Sequence, residues 1–283
     1  MVRYMKIVNG DNFCSEEKYK LYRTVYEILH PTISKKNISN YKVVFDEKLL
    51  PTLVFYPKRI SNMNSAIIMI PGYGMVNNSF GKYSDICKKL ALESEKLVIA
   101  IDYFGSNIKY PTTGNKVYKI VNYLYDELEK NGINSDSISI MCDSTGCVIL
   151  NKVLGRLKKK NKKFNKLVML YPVCRKDYSN YIWNDKSLSV NFNLDKKINN
   201  YLHKYYSKGS DKDIDLLDNE LVKEFSNKLV ITGDMDILKD DGLLLAEKID
   251  AKYLNIKFAS HGFLSCNDSE ITTEVFKEIK EFL

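Results

Sequence analysis

Residues 137–150 read Ser-Ile-Ser-Ile-Met-Cys-Asp-Ser-Thr-Gly-Cys-Val-Ile-Leu. An alternating apolar strand runs into a tight turn, and a helical pattern follows at once. Ser144 stands at the apex, with the small residues Cys142 and Gly146 two positions to either side. Such a turn is strained, so its flanks must be small enough for strand and helix to pass close together. It lifts the serine hydroxyl above the sheet and aims a helix N-terminus, with its partial positive charge, at whatever the serine attacks. A bare Ser-x-Gly also occurs in ordinary turns. The nucleophile reading therefore depends on what else the chain supplies.

A serine hydroxyl is a poor nucleophile until a base takes its proton. The base in turn needs an acid to hold its tautomer and stabilise its charged form. On a strand–turn–helix scaffold the expected chain order is Ser, Asp, His. The apolar strand 228–232 opens into Gly233-Asp234-Met235-Asp236, and the strand expected at 255–258 opens into Ala259-Ser260-His261-Gly262-Phe263. The chain has three histidines. His30 precedes Pro31 near the end of an N-terminal helical pattern, and His203 lies in a tyrosine-rich one, so both read as surface or packing residues. His261 is the base that remains, and Ser144, Asp236 and His261 form the expected triad.

An acyl-transfer site also needs donors for the oxyanion. The strand 66–70 ends in Pro71-Gly72-Tyr73-Gly74. The N–H groups of Gly72 and Tyr73, with that of Thr145 after the nucleophile, are the expected donors. The competing reading of this loop is a glycine-rich turn with no catalytic duty.

The scaffold follows from patterning. Apolar strand-like runs at 66–70, 97–102, 137–141, 167–171, 228–232 and 255–258 alternate with helical stretches at 82–95, 114–131, 145–159, 242–250 and 270–283. That alternation predicts an α/β fold with a mostly parallel sheet. Segments 41–45 and 53–56 read as an antiparallel pair at its start, for eight strands in all.

These motifs resemble those of hormone-sensitive-lipase-like serine esterases of the α/β-hydrolase superfamily. Cys142-Asp143-Ser144-Thr145-Gly146-Cys147 resembles the Gly-Asp-Ser-Ala-Gly-Gly elbow, with Cys142 in place of the first glycine. Ile101-Asp102-Tyr103 and Lys109-Tyr110-Pro111 resemble the Val-Asp-Tyr-Arg and Phe-Pro segments. Leu170-Tyr171-Pro172-Val173 resembles the strand end before the cap insertion. Thr232–Gly242 resembles the acid loop and places the acid at Asp236 rather than Asp240 or Asp241. His261-Gly262-Phe263 matches His-Gly-Phe, and Pro71-Gly72-Tyr73-Gly74 stands where the family has His-Gly-Gly-Gly.

The resemblance implies an α/β-hydrolase core at 41–173 and 228–283 under a helical cap. The cap would be built from an N-terminal segment, 1–40, and an insertion, 174–227. It also implies a substrate pocket with aromatic walls, for which Tyr22, Tyr181, Trp183 and Tyr205 are candidates; for any single tyrosine, plain packing competes. It implies short-chain acyl esters, needs no metal or organic cofactor, and allows a homodimer.

Composition narrows the field. At 283 residues and 45% hydrophobic, the chain can bury one large core. The net charge of +8 comes largely from lysine, densest at Lys158-Lys159-Lys160-Asn161-Lys162-Lys163. That run falls between a helix and a core strand and reads as a solvated loop rather than a nucleic-acid or membrane surface. The N-terminus lacks the apolar core of a signal peptide, and no apolar run is long enough for stable membrane insertion. The six cysteines show no Cys-x-x-Cys spacing, which fits free thiols in a cytoplasmic protein. The expectation is a cytoplasmic serine carboxylesterase with a small-molecule ester as partner. An amidase, peptidase or acyltransferase could use the same triad. A non-catalytic ligand-binding protein on this fold is the alternative from another class.

Overall fold

The computed structural model describes residues 41–44, 52–57, 64–72, 80–103, 111–178, 194–206, 215–265 and 270–283. Its strands are β1 (Tyr41–Val44), β2 (Thr52–Phe55), β3 (Ala66–Ile70), β4 (Leu97–Ile101), β5 (Ile138–Asp143), β6 (Lys166–Leu170), β7 (Asn227–Gly233) and β8 (Lys252–Ile256). They form one eight-stranded sheet in the order β1-β2-β4-β3-β5-β6-β7-β8. The β1–β2 and β2–β4 pairs are antiparallel, and every other pair is parallel.

The helices are α1 (Phe80–Ser94), α2 (Thr112–Lys130), α3 (Gly146–Lys158), α4 (Leu194–Tyr205), α5 (Lys239–Ile249) and α6 (Glu270–Phe282). They cover both faces, as a parallel sheet requires. The two-residue strand period sorts the sheet into two cores. Ile68, Ile70, Ile99, Ile140 and Met169 join Val117, Val121, Leu150, Val153 and Leu245 from α2, α3 and α5. Ile67, Met69, Val98, Met141 and Val168 face the other way, onto Tyr83, Cys87 and Leu90 of α1 and Val275, Phe276 and Ile279 of α6. The spacing 117, 120, 121, 124, 128 in α2 is the apolar stripe of an amphipathic helix.

The last strand departs from expectation. It runs over Lys252–Ile256, not 255–258. Asp250 caps α5 in the left-handed conformation (φ 53°), and the strand begins two residues later. Phe258 is itself left-handed (φ 58°) and 79% exposed, so the extended backbone has already ended there. As an edge strand β8 is mostly half-buried or exposed, which blurs the alternation that marks a strand. Helix α5 begins at Lys239, a turn before the expected 242. The expected N-terminal cap segment, 1–40, lies outside the described residues, and only 174–178, 194–206 and 215–227 of the expected insertion lie within them. Among the described residues no helix is long and apolar enough to cross a membrane.

Candidate active site

The carboxyl ends of β5, β7 and β8 bring the chemistry together. Ser144 directly follows β5 with φ 48°, a left-handed backbone that few non-glycine residues adopt. That is the strain expected of a nucleophile at a sharp strand-to-helix turn. Gly146 permits it: a Cβ there would lie 2.2 Å from the Ile70 carbonyl oxygen. At the other flank the Cys142 Sγ lies 2.9 Å from the Cys147 Sγ, and both thiols are fully buried. Cysteine thus fits where the resembled family has glycine, because its side chain points into the core toward the first turn of α3.

His261 follows β8. Its Nε2 lies 2.9 Å from Ser144 Oγ, and its Nδ1 lies 2.8 Å from Asp236 Oδ2. Asp236 is fully buried, and its Oδ1 accepts the Leu238 N–H at 2.9 Å. A carboxylate only accepts, so the imidazole hydrogen sits on Nδ1. Nε2 is then left to accept from the serine hydroxyl. Proton, base and acid therefore stand in line. Asp241, a buried acid five positions after Asp236, is already committed. Arg175 Nε and Nη2 grip it in a bidentate pair at 2.8–3.1 Å, and the Tyr178 hydroxyl donates to it at 3.0 Å. That separates Asp236 from Asp241 on geometry.

Of the expected oxyanion donors, Thr145 is the N-cap of α3, where first-turn N–H groups have no acceptor within the helix. Tyr73 lies outside the described residues. Gly72 requires a correction. Its N–H does not point at open space above Ser144. It donates to Asp143 Oδ1 at 2.9 Å and is shared with Tyr83 Oη at 3.1 Å. The reason is chemical: a buried carboxylate must find donors, and Gly72 is packed so closely that a Cβ on it would lie 2.2 Å from the Asp143 carbonyl oxygen and 2.8 Å from Ser144 Cβ. Among the expected pocket residues, Tyr22, Tyr181 and Trp183 lie outside the described residues. Tyr205 is buried in the core, edge-on to Tyr206 at 4.8 Å.

Sequence reasoning gave no catalytic role to Asp143, Tyr83 or Tyr171. Burial pushes the Asp143 carboxyl up to about 6; the Tyr83 hydroxyl, the Gly72 N–H, His261 and the Tyr171 hydroxyl pull the other way. Tyr171 is itself left-handed (φ 36°), and its ring lies edge-on to His261 at 4.9 Å. The structure sets Tyr83 among the buried residues of α1, and a lone aromatic in a helical stretch carries no signal of its contact with Asp143. Among the described residues no group of three or more His, Cys, Asp or Glu could hold a metal ion.

A sequence profile of the α/β-hydrolase fold matches residues 67–264, most of the chain and all three members of the relay. The chain belongs to the α/β-hydrolase family. Within it, the chain falls in the hormone-sensitive-lipase-like branch that its motifs resemble. No protein with a curated description matches the sequence. Solved structures share the fold at low identity. EstE1, a thermostable carboxylesterase cloned from a metagenomic library, has a TM-score of 0.74 at 20% identity, over 95% of this chain and 96% of that one. The Francisella virulence factor BioJ gives 0.73 at 18% identity, over 100% and 95%. An esterase from the hyperthermophilic archaeon Pyrobaculum calidifontis gives 0.70 at 18% identity, over 99% and 95%.

Proposed function

We propose that this α/β-hydrolase hydrolyses carboxylic esters through an acyl-enzyme on Ser144. The observation that carries the reading is the Ser144–His261–Asp236 relay, with its two contacts at 2.9 and 2.8 Å, on a strained elbow. Ser144 Oγ attacks the ester carbonyl as His261 Nε2 takes its proton. The tetrahedral oxyanion lies toward the N-terminus of α3 and the Thr145 N–H. His261 then passes the proton to the departing alkoxide, and the alcohol leaves. A water, deprotonated by the same imidazole, attacks the acyl-enzyme; Ser144 recovers its proton as the acid is released. Asp236 holds the imidazole tautomer and balances its positive charge in both halves.

The esterases among the structural neighbours and the motif resemblance support an ester over an amide, and the resemblance supports short acyl chains such as acetyl to hexanoyl. The described cysteines Cys87, Cys142, Cys147 and Cys174 are free, in keeping with a reducing cytoplasm. The test is a 4-nitrophenyl ester series from acetate to palmitate with the wild type and Ser144→Ala. The reading predicts turnover that is greatest on the short chains and disappears in the variant. Turnover that survives in Ser144→Ala would remove Ser144 from the reaction.

A further inference from the structure

One peptide group beside the nucleophile is held at both ends by buried phenols. The carbonyl oxygen of Pro71 accepts the Tyr103 hydroxyl. The N–H of the same peptide unit, on Gly72, donates to Asp143 Oδ1 and is shared with Tyr83 Oη. The Tyr83 hydroxyl donates in turn to Asp143 Oδ2 at 2.5 Å. Three elements thus close a ring of hydrogen bonds: α1 through Tyr83, the end of β5 through Asp143, and the chain leaving β3 through Gly72. Tyr83, Tyr103 and Asp143 are all at most 2% exposed.

Such an arrangement costs free energy to bury. An apolar residue before Ser144 would pack more favourably than a carboxylate. Tyr83 likewise brings a hydroxyl into the stripe it shares with Ile86, Cys87, Leu90 and Ala91. What the polar groups secure is the orientation of a peptide whose glycine touches the elbow: a Cβ on Gly72 would come within 2.8 Å of Ser144 Cβ. Buried, fully connected polar networks fix one arrangement where apolar packing alone would tolerate several.

We propose that Tyr83 is a positioning residue: with Asp143 and Tyr103 it locks the Pro71–Gly72 peptide plane against the nucleophile elbow, and so sets the backbone that an ester carbonyl meets at Ser144. This rests on the esterase reading for its substrate, although not for its geometry. The Gly72 N–H belongs to the lock rather than to the oxyanion. Asp143 must be ionised for the lock to hold fully, because both of its oxygens accept. The groups facing it are Tyr83 and Cys87 from α1, Tyr103 after β4, Cys147 on α3, Tyr171 after β6 and His261 after β8. The Tyr83 hydrogen bond favours the anion. Without it, Asp143 takes up a proton at higher pH, and the lock loosens sooner as pH falls.

The test compares wild type, Tyr83→Phe and Tyr103→Phe in two assays from about pH 5.5 to 8.5. One is 4-nitrophenyl acetate hydrolysis; the other is the rate of fluorophosphonate labelling at Ser144. Thermal unfolding shows that each variant is folded. A misplacement beside the reacting atoms that leaves binding alone lowers kcat by about ten- to a hundredfold and moves KM by less than about threefold. For Tyr83→Phe the deficit, in both assays, grows as pH falls below neutrality. Tyr103→Phe, which leaves Asp143 its Tyr83 partner, shows a deficit with much less pH dependence. Labelling and kcat within about twofold of wild type at every pH, in a folded Tyr83→Phe, overturn the proposal. A wild type that hydrolyses no ester but labels at Ser144 refutes only the esterase reading, and the labelling rates still decide the lock. A wild type that does not label at Ser144 overturns both.

Discussion

Replacing Asp236 by Asn gives a sharp test of the relay, because the surroundings dictate how the amide must lie. Asp236 Oδ1 accepts the Leu238 N–H at 2.9 Å, so the Asn carbonyl oxygen has to take that position. The amide NH2 then replaces Oδ2 and faces His261 Nδ1, now 2.8 Å from a carboxylate oxygen. A donor there forces Nδ1 to accept, and the imidazole hydrogen moves to Nε2. That hydrogen points at Ser144 Oγ, where a lone pair is needed, and the base is blocked. The expected loss is about 10⁴ in kcat, or about 5 kcal/mol of transition-state stabilisation. Because the Leu238 contact survives, the variant should fold and melt close to the wild type. Steady-state hydrolysis of 4-nitrophenyl acetate reads the loss, and the ring-nitrogen NMR shifts of His261, one of only three histidines, read the tautomer. A loss of less than about tenfold, or a hydrogen still on Nδ1, would refute the argument.

Two further outcomes are expected. Arg175→Ala takes the bidentate guanidinium away from the buried Asp241 carboxylate; denaturant titration should show a loss of about 3 kcal/mol, and a loss below about 1 kcal/mol would mean that the pair contributes little. Asp143, raised to about 6, binds a proton more tightly folded than unfolded. Its contribution to stability therefore falls as pH rises from about 4 to about 6, by on the order of 3 kcal/mol. Wild type minus Asp143→Asn, measured by denaturant unfolding across that window, should show this slope, and a flat difference would place the carboxyl's titration elsewhere.

What was legible in the sequence was whatever depends on neighbours along the chain. Strand 66–70 shows a run of five apolar residues, and the structure buries all of them. The turn at 142–146 announces itself because a left-handed serine needs small flanks, and small flanks are visible in one dimension. The His261 and Asp236 loops were found because each ends a strand, and parallel strands deliver their carboxyl ends to one edge of the sheet. Strand β8 starts three residues before and ends two before the expected bounds, because a half-buried edge strand carries little alternation.

The rest depends on groups that meet only across the fold. Gly72 read as an oxyanion donor because its loop has the right place in the chain order. Whether an N–H is free depends on what lies opposite it, and Asp143, 71 positions away, lies opposite. Tyr83 drew no reading from the sequence, and its ring is in the core; only packing of α1 against the end of β5 brings its hydroxyl to that carboxylate. The motif resemblance placed the acid at Asp236 rather than Asp241, but that Asp241 is committed elsewhere is visible only in its pairing with Arg175, 66 positions away. Chain order and periodicity determined which residues could do chemistry and at which end of the sheet they stand. The pairing of each buried donor with its acceptor was decided by tertiary structure alone, because hydrogen-bond energy depends on distances of a few ångströms that spacing along a chain does not encode.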